Sequence, residues 1–173
     1  MSTADLKRAK KLLTGRPDLV DRLLRIADHQ ARPKTPVCTA AEAASIFSPL
    51  FDGLGDEELH AIYLDRRHQL MCHRRLTVGS DRFTVVDPRQ IYRPAIEVGA
   101  AAVILAHNHP SGDVTPSAQD SEVTRRVGSA GRVLGVTLLD HLVFGLGHSG
   151  WTSMREVGAM DTYGSGEGSS WTA

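Results

Sequence analysis

Residues 100–106, "AAAVILA", are seven apolar residues in a row, with nothing polar among them to face water. A strand with one wet face alternates apolar and polar side chains, so an unbroken run of this kind fits a strand covered on both faces. "VTLLDHLVFG", residues 136–145, has the same character. Two buried strands separated by a helix-length segment require a sheet with helices packed on it, and this sets the fold class as mixed α/β (α+β).

The flanking segments supply the other elements. Thr39 is a good N-cap for the helix "AAEAASIFSPLF", with Glu42 three residues later to complete a capping box. "LHAIYLD" alternates, placing Leu59, Ala61 and Tyr63 on one face and His60, Ile62 and Leu64 on the other. "HQLMCHRRLTVG" is its partner strand across the polar turn Asp65 to His68, and Gly79 and Ser80 bend the chain before a short strand "FTVV". Asp87 and Pro88 open the helix "DPRQIYRPAIEVGA", in which Pro94 removes a hydrogen bond and is expected to introduce a kink. The helix "PSAQDSEVTRRVGSAGRVLG" is expected to end near Gly131. The sum is a sheet of about five or six strands flanked by helices.

Residues 1–36 are read as a basic helical arm and linker. Residues 1–34 carry nine Lys and Arg against four Asp, while the remainder has eleven Arg against sixteen acids. Such an arm suits contact with nucleic acid or an acidic partner, although a solvated amphipathic face explains it as simply. The Gly/Ser-rich residues 159–173 are expected to be a disordered tail. The chain has no apolar run of bilayer-spanning length and no signal-peptide core, so no membrane partner is expected. Cys38 and Cys72 are too few for a disulfide framework or a cysteine zinc site, and reduced thiols fit a cytoplasmic protein.

Chemistry concentrates in "LAHNHPSGDVTPSAQD", residues 105–120. His107 and His109 stand just past the buried strand, two residues apart, so both imidazoles point to one side. Ser117 opens the next helix, and Asp120 shares its first turn. Two nitrogens from a strand end and one carboxylate from a helix start make a three-ligand site with a fourth position for water, the pattern of catalytic zinc. The Ser117 hydroxyl is expected beside that water, where it can donate to a forming oxyanion. Taken singly, Ser117 is as well explained as a helix cap and Asp120 as a solvated acid of the first turn. His141 is read either as orienting a ligand histidine or as a satisfied core residue. His60, His68, His73 and His148 lack partner spacing and are expected at the surface.

The string "HNHPSGDVTPSAQD" resembles the JAMM motif, H-x-H-x7-S-x2-D, of the MPN (JAB-type) metalloprotein superfamily. The asparagine and the following Ser-Gly resemble its RadC-like branch in particular. "VVDPRQIYRPAIEVGAAAVILAHNHPSG" and "GRVLGVTLLDHLVFG" support the likeness, which covers residues 37–158. It implies an MPN-type fold with one Zn2+ held by His107, His109 and Asp120. It also implies an upstream glutamate as general base: Glu57 by its offset from Asp65, or its neighbour Glu58. The longer RadC proteins carry a helix-hairpin-helix region, whose glycine pattern residues 1–34 do not show.

The resemblance implies a zinc-dependent hydrolase, foremost a metallopeptidase or isopeptidase acting on a peptide or a ubiquitin-like protein. The alternative it carries is a metal-dependent nuclease or DNA-repair accessory with nucleic acid as partner. A non-catalytic scaffold of the same fold is disfavoured, since every ligand is kept. A homo-oligomer is compatible with the sequence, which does not fix the assembly.

Overall fold

The computed structural model describes residues 36–78, 86–146 and 150–160; the basic arm, "FTVV" up to Val85, His148 and the tail from residue 161 lie outside them. Helix α1, Ala40–Phe51, starts at Thr39, whose hydroxyl accepts the Glu42 N–H while the Glu42 carboxylate accepts the Thr39 N–H. This is the expected capping box. Strands β1 (Glu58–Leu64) and β2 (Leu70–Val78) pair antiparallel across the Asp65–His68 turn, where His68 adopts a left-handed backbone with φ 55°.

Helix α2, Pro88–Val98, is capped by Asp87 and continues as one element through Pro94 to a left-handed Gly99. Strand β3, Ala102–His109, is buried along its length up to His109. Helix α3, Ala118–Leu134, then leads to β4, Thr137–Gly145, and a three-residue β5, Trp151–Ser153.

These strands form one sheet in the order β2-β1-β3-β4-β5. β3 lies antiparallel to β1 and parallel to β4, and α3 makes the crossover between the parallel pair. α1 covers one face, with Phe47 and Phe51 packed against Ile62, Ile104, Leu142 and Phe144. α2 and α3 cover the other, with Ile91, Tyr92, Val123 and Val127 against Leu59, Ala61, Tyr63, Val103 and Leu105. Each buried tyrosine hydroxyl donates to a carbonyl, Tyr63 to Ile91 and Tyr92 to Val127, both at 2.9 Å. Among the described residues no helix is long and apolar enough to cross a membrane.

Two expectations are corrected, and one element is added. α3 passes through Gly131 and stops at Gly135, which takes the left-handed conformation (φ 69°) of a helix terminus. Gly131 answers a packing need instead: a Cβ there would strike the Tyr92 ring and the Val136 carbonyl. His60 and His68 are buried rather than superficial and His73 is half-buried. The hydrogen bonds among Glu58, His60 and His73 make that burial tolerable. Finally, β5 was not foreseen, because three residues are too few to show a period. Met160 beyond it packs on the α2/α3 side.

Gly131→Ala should lower stability by about 1–3 kcal/mol through overpacking, seen as a reduced Tm in thermal melts. Gly128→Ala, whose Cβ would meet only the Leu138 side chain at 4.0 Å, should leave Tm unchanged or slightly raised.

Candidate metal centre

β3 carries its polar residues at the end that emerges from the sheet. Alternation turns His107 and His109 toward α3 and Asn108 toward the α1 side. The chain then turns at Pro110, passes a left-handed Gly112 (φ 83°), and enters α3 at Ser117. Ser117 and Asp120 form a reciprocal cap. The Ser117 Oγ accepts the Asp120 N–H at 3.1 Å and donates to Oδ2 at 2.7 Å, and Oδ2 also accepts the Ser117 N–H at 2.7 Å.

The cap aims the Asp120 carboxylate at the histidines. Oδ1 lies 3.3 Å from His107 Nε2, Oδ2 lies 3.5 Å from His109 Nε2, and the two Nε2 atoms are 3.0 Å apart. All three ligand atoms fall within 4.8 Å of one another. Two imidazole nitrogens this close need a proton or a cation between them. Zinc takes nitrogen and oxygen ligands at about 2.0–2.2 Å, which sets tetrahedral neighbours about 3.3–3.6 Å apart, so the trio closes on such an ion with little movement.

Hydrogen bonds fix both ligand tautomers. His109 Nδ1 lies 2.8 Å from the Asp113 carbonyl, which can only accept, so Nδ1 holds a proton and Nε2 is the nitrogen offered to a metal. His107 reaches the same state through a buried chain. Thr124 Oγ1 donates to the Asp120 carbonyl at 2.6 Å, its hydroxyl oxygen accepts from His141 Nδ1 at 2.6 Å, and His141 Nε2 accepts from His107 Nδ1 at 2.9 Å. Burial and the neighbouring His107 hold the His141 pKa well below the ordinary histidine value, which keeps it neutral as this chain requires. His141 thus orients His107, one of the three candidate ligands, and is not merely a core histidine.

Charge at the trio follows from the same contacts. Burial works to raise the Asp120 carboxyl, but bonds from His107, His109 and Ser117 outweigh it and hold the group far below the usual carboxylate range. The bond to Asp120 raises His109 despite partial burial, whereas full burial lowers His107 despite the same carboxylate.

The two candidate glutamates part company. Glu58 is buried on the α1 side, its carboxylate 2.8 Å from His60 Nε2 and 3.1 Å from Arg75. Glu57 lies within electrostatic reach of His109 and Asp120; burial raises its pKa, His109 lowers it and Asp120 raises it again. Thr124 and Asn108 had not been singled out as site residues from the sequence. Thr124 was nonetheless visible as the residue one turn beyond Asp120 on the same helical face.

Strand order, helix placement and a His-His-Asp cluster at the end of the parallel pair define an α+β protein of the JAB/MPN type. Residues 37–159 match the RadC-like JAB domain family, and the chain belongs to it. It is 42% identical over 127 residues to a UPF0758 protein of Symbiobacterium thermophilum, covering 73% of this chain and 53% of that one. It is 36% identical over 126 residues to a UPF0758 protein of Methanococcoides burtonii, covering 73% and 54%. A UPF0758 protein of a Geobacillus species is 41% identical over 105 residues, covering 61% and 46%. The chain thus spans about half the length of the curated relatives it matches.

Asp120→Ala should abolish stoichiometric zinc uptake measured by elemental analysis. Thr124→Val, which keeps the shape and removes the hydroxyl, should weaken zinc about 10- to 100-fold in chelator competition, and Thr124→Ser should restore it. Because the bond to Asp120 raises the His109 pKa above the ordinary histidine value, zinc should displace a proton there near neutral pH. Calorimetry in buffers of differing ionisation enthalpy should show that release shrinking as pH rises above the His109 pKa.

Proposed function

We propose that this chain is a zinc-dependent hydrolase of the JAMM type, acting on a peptide or isopeptide bond. The observation that carries the reading is the convergence of His107, His109 and Asp120, with the Glu57 carboxyl in electrostatic reach of two of them. Two imidazoles and one carboxylate suit zinc, and three protein ligands leave a position open. A divalent ion bound there would supply Lewis acidity and bring the pKa of a water molecule toward neutrality.

The remaining roles belong to side chains. Glu57, made more basic by burial, takes a proton from the attacking water and returns it to the leaving nitrogen. Glu58 is not available for this, because its carboxylate is held by His60 and Arg75. Ser117 orients Asp120 through the cap, and its hydroxyl donates to the developing oxyanion once its bond to Oδ2 is exchanged. Acids outnumber arginines in the chain beyond residue 34, which favours a peptide over a phosphodiester. Free Cys38 and Cys72 fit a reducing, cytoplasmic setting.

Zinc-loaded full chain should be incubated with a peptide library, with isopeptide-linked ubiquitin-like conjugates, and with single- and double-stranded DNA. Peptide or isopeptide cleavage is expected, falling about 10²- to 10⁴-fold in Glu57→Gln while zinc stoichiometry holds. Cleavage of DNA alone, lost in Glu57→Gln, would replace this substrate class with the nuclease reading.

A further inference from the structure

Asn108 stands between the two ligand histidines, is fully buried, and points away from them. Its side chain completes a connection that the sheet leaves open. The β1–β3 ladder ends at the pair Leu59 and His107, so residues 56–58 lie past its last rung. There the Asn108 amide takes over: Oδ1 accepts the Glu58 N–H at 2.8 Å, and Nδ2 donates to the Asp56 carbonyl at 3.0 Å. The two groups it binds flank Glu57 on either side. One needs an acceptor and the other a donor, a pairing that a side-chain amide meets and a carboxylate or a hydrocarbon does not.

A second anchor acts on the same segment. The Glu58 carboxylate is locked on the α1 side by His60 and Arg75, while the preceding Glu57 carboxyl lies within electrostatic reach of His109 and Asp120. The Glu57 segment is thus held from two directions, and Asn108 supplies its two side-chain bonds to β3.

We propose that Asn108 is the positioning residue for Glu57, holding that carboxyl at the metal centre by bonding the backbone on both sides of it. The inference rests on the proposed role of Glu57 and adds what puts it there. A 1 Å displacement of a catalytic group can cost about 10²-fold in rate, so a residue that touches neither metal nor substrate can govern activity.

The test uses full-length protein loaded with cobalt(II), whose visible absorption changes with pH. Glu57→Gln removes a negative charge beside the ion and should lower the midpoint of that change by about one unit or more. Asn108→Ala should lower it in the same direction, cobalt affinity in chelator competition should stay at the wild-type value, and Asn108→Ala combined with Glu57→Gln should show no further shift. If Asn108→Ala does not fold, Asn108→Ser, too short to span both groups, should give the same result. An unmoved midpoint, a shift that adds to that of Glu57→Gln, or an affinity loss of about tenfold or more overturns the proposal. If Glu57→Gln itself leaves the midpoint unmoved, the role of Glu57 falls and the positioning role with it; a shift in Glu57→Gln alone sinks only Asn108.

Discussion

The pairing of β3 with a strand on each side is the interaction on which the candidate metal centre depends. To its left β1 lies antiparallel, so the chain just before β1 arrives at the end where β3 delivers its histidines. To its right β4 lies parallel, which brings His141 against His107 and forces the α3 crossover that carries Asp120. The histidines are therefore fixed by backbone ladders, while the Ser117 cap places Asp120 and the Asn108 side chain holds the Glu57 segment beyond the last rung. Among the described residues no buried side-chain nitrogen or oxygen lacks a partner, although the region buries Glu58, His60, His107, Asn108, Asp120, Asp140 and His141. An unmet group in such a place would cost about 1–3 kcal/mol, so the network is as much a condition of folding as of chemistry.

Charge balance supports the same picture. Asp120 is held ionised by its histidine and serine contacts, and Glu57 stands near enough to feel it. Two carboxylates and two neutral imidazoles together match the charge of one divalent cation. The Asp120 carboxylate also raises the His109 pKa, so the trio favours positive charge at its centre.

Much of this was legible in the residues. The apolar run of β3, the Thr39–Glu42 cap, the facing of β1 and the Asp87–Pro88 helix start are local signals, and local rules decided them. The trio was legible because strand alternation and the helix turn fix which side chains share a face, and the cluster forms as expected. What escaped was whatever depends on contacts distant in sequence. His60 looked like a surface residue because its partner His73 lies on the neighbouring strand. The end of α3 was misplaced because Gly131 reads as a terminator, while its real reason is the Tyr92 ring from another helix. The family likeness favoured Glu57 over Glu58 by its offset from Asp65, but the partners that tell them apart, Arg75 for Glu58 and His109 and Asp120 for Glu57, lie far off in sequence on other elements.

One irregularity in β4 reaches further than its size suggests. Val103 pairs with Leu138 but the next residue, Ile104, pairs with Asp140, so Leu139 is an extra residue in the ladder. Before it Leu138 lies with the α2/α3 core; Leu139 and then Leu142 and Phe144 lie with the α1 core. The inserted residue inverts the strand's phase, turning His141 to the histidine side and leaving Asp140 to bind Ser153 Oγ and the Arg155 N–H at the edge. Pairing Leu139 in register with Ile104, without the bulge, would keep every chemical group in the chain yet exchange which of this adjacent acid and imidazole faces the histidines. A bulge here acts as a frame-setting device: the alphabet of the site is written in β3 and α3, and one surplus residue in β4 determines that it is read in the correct frame.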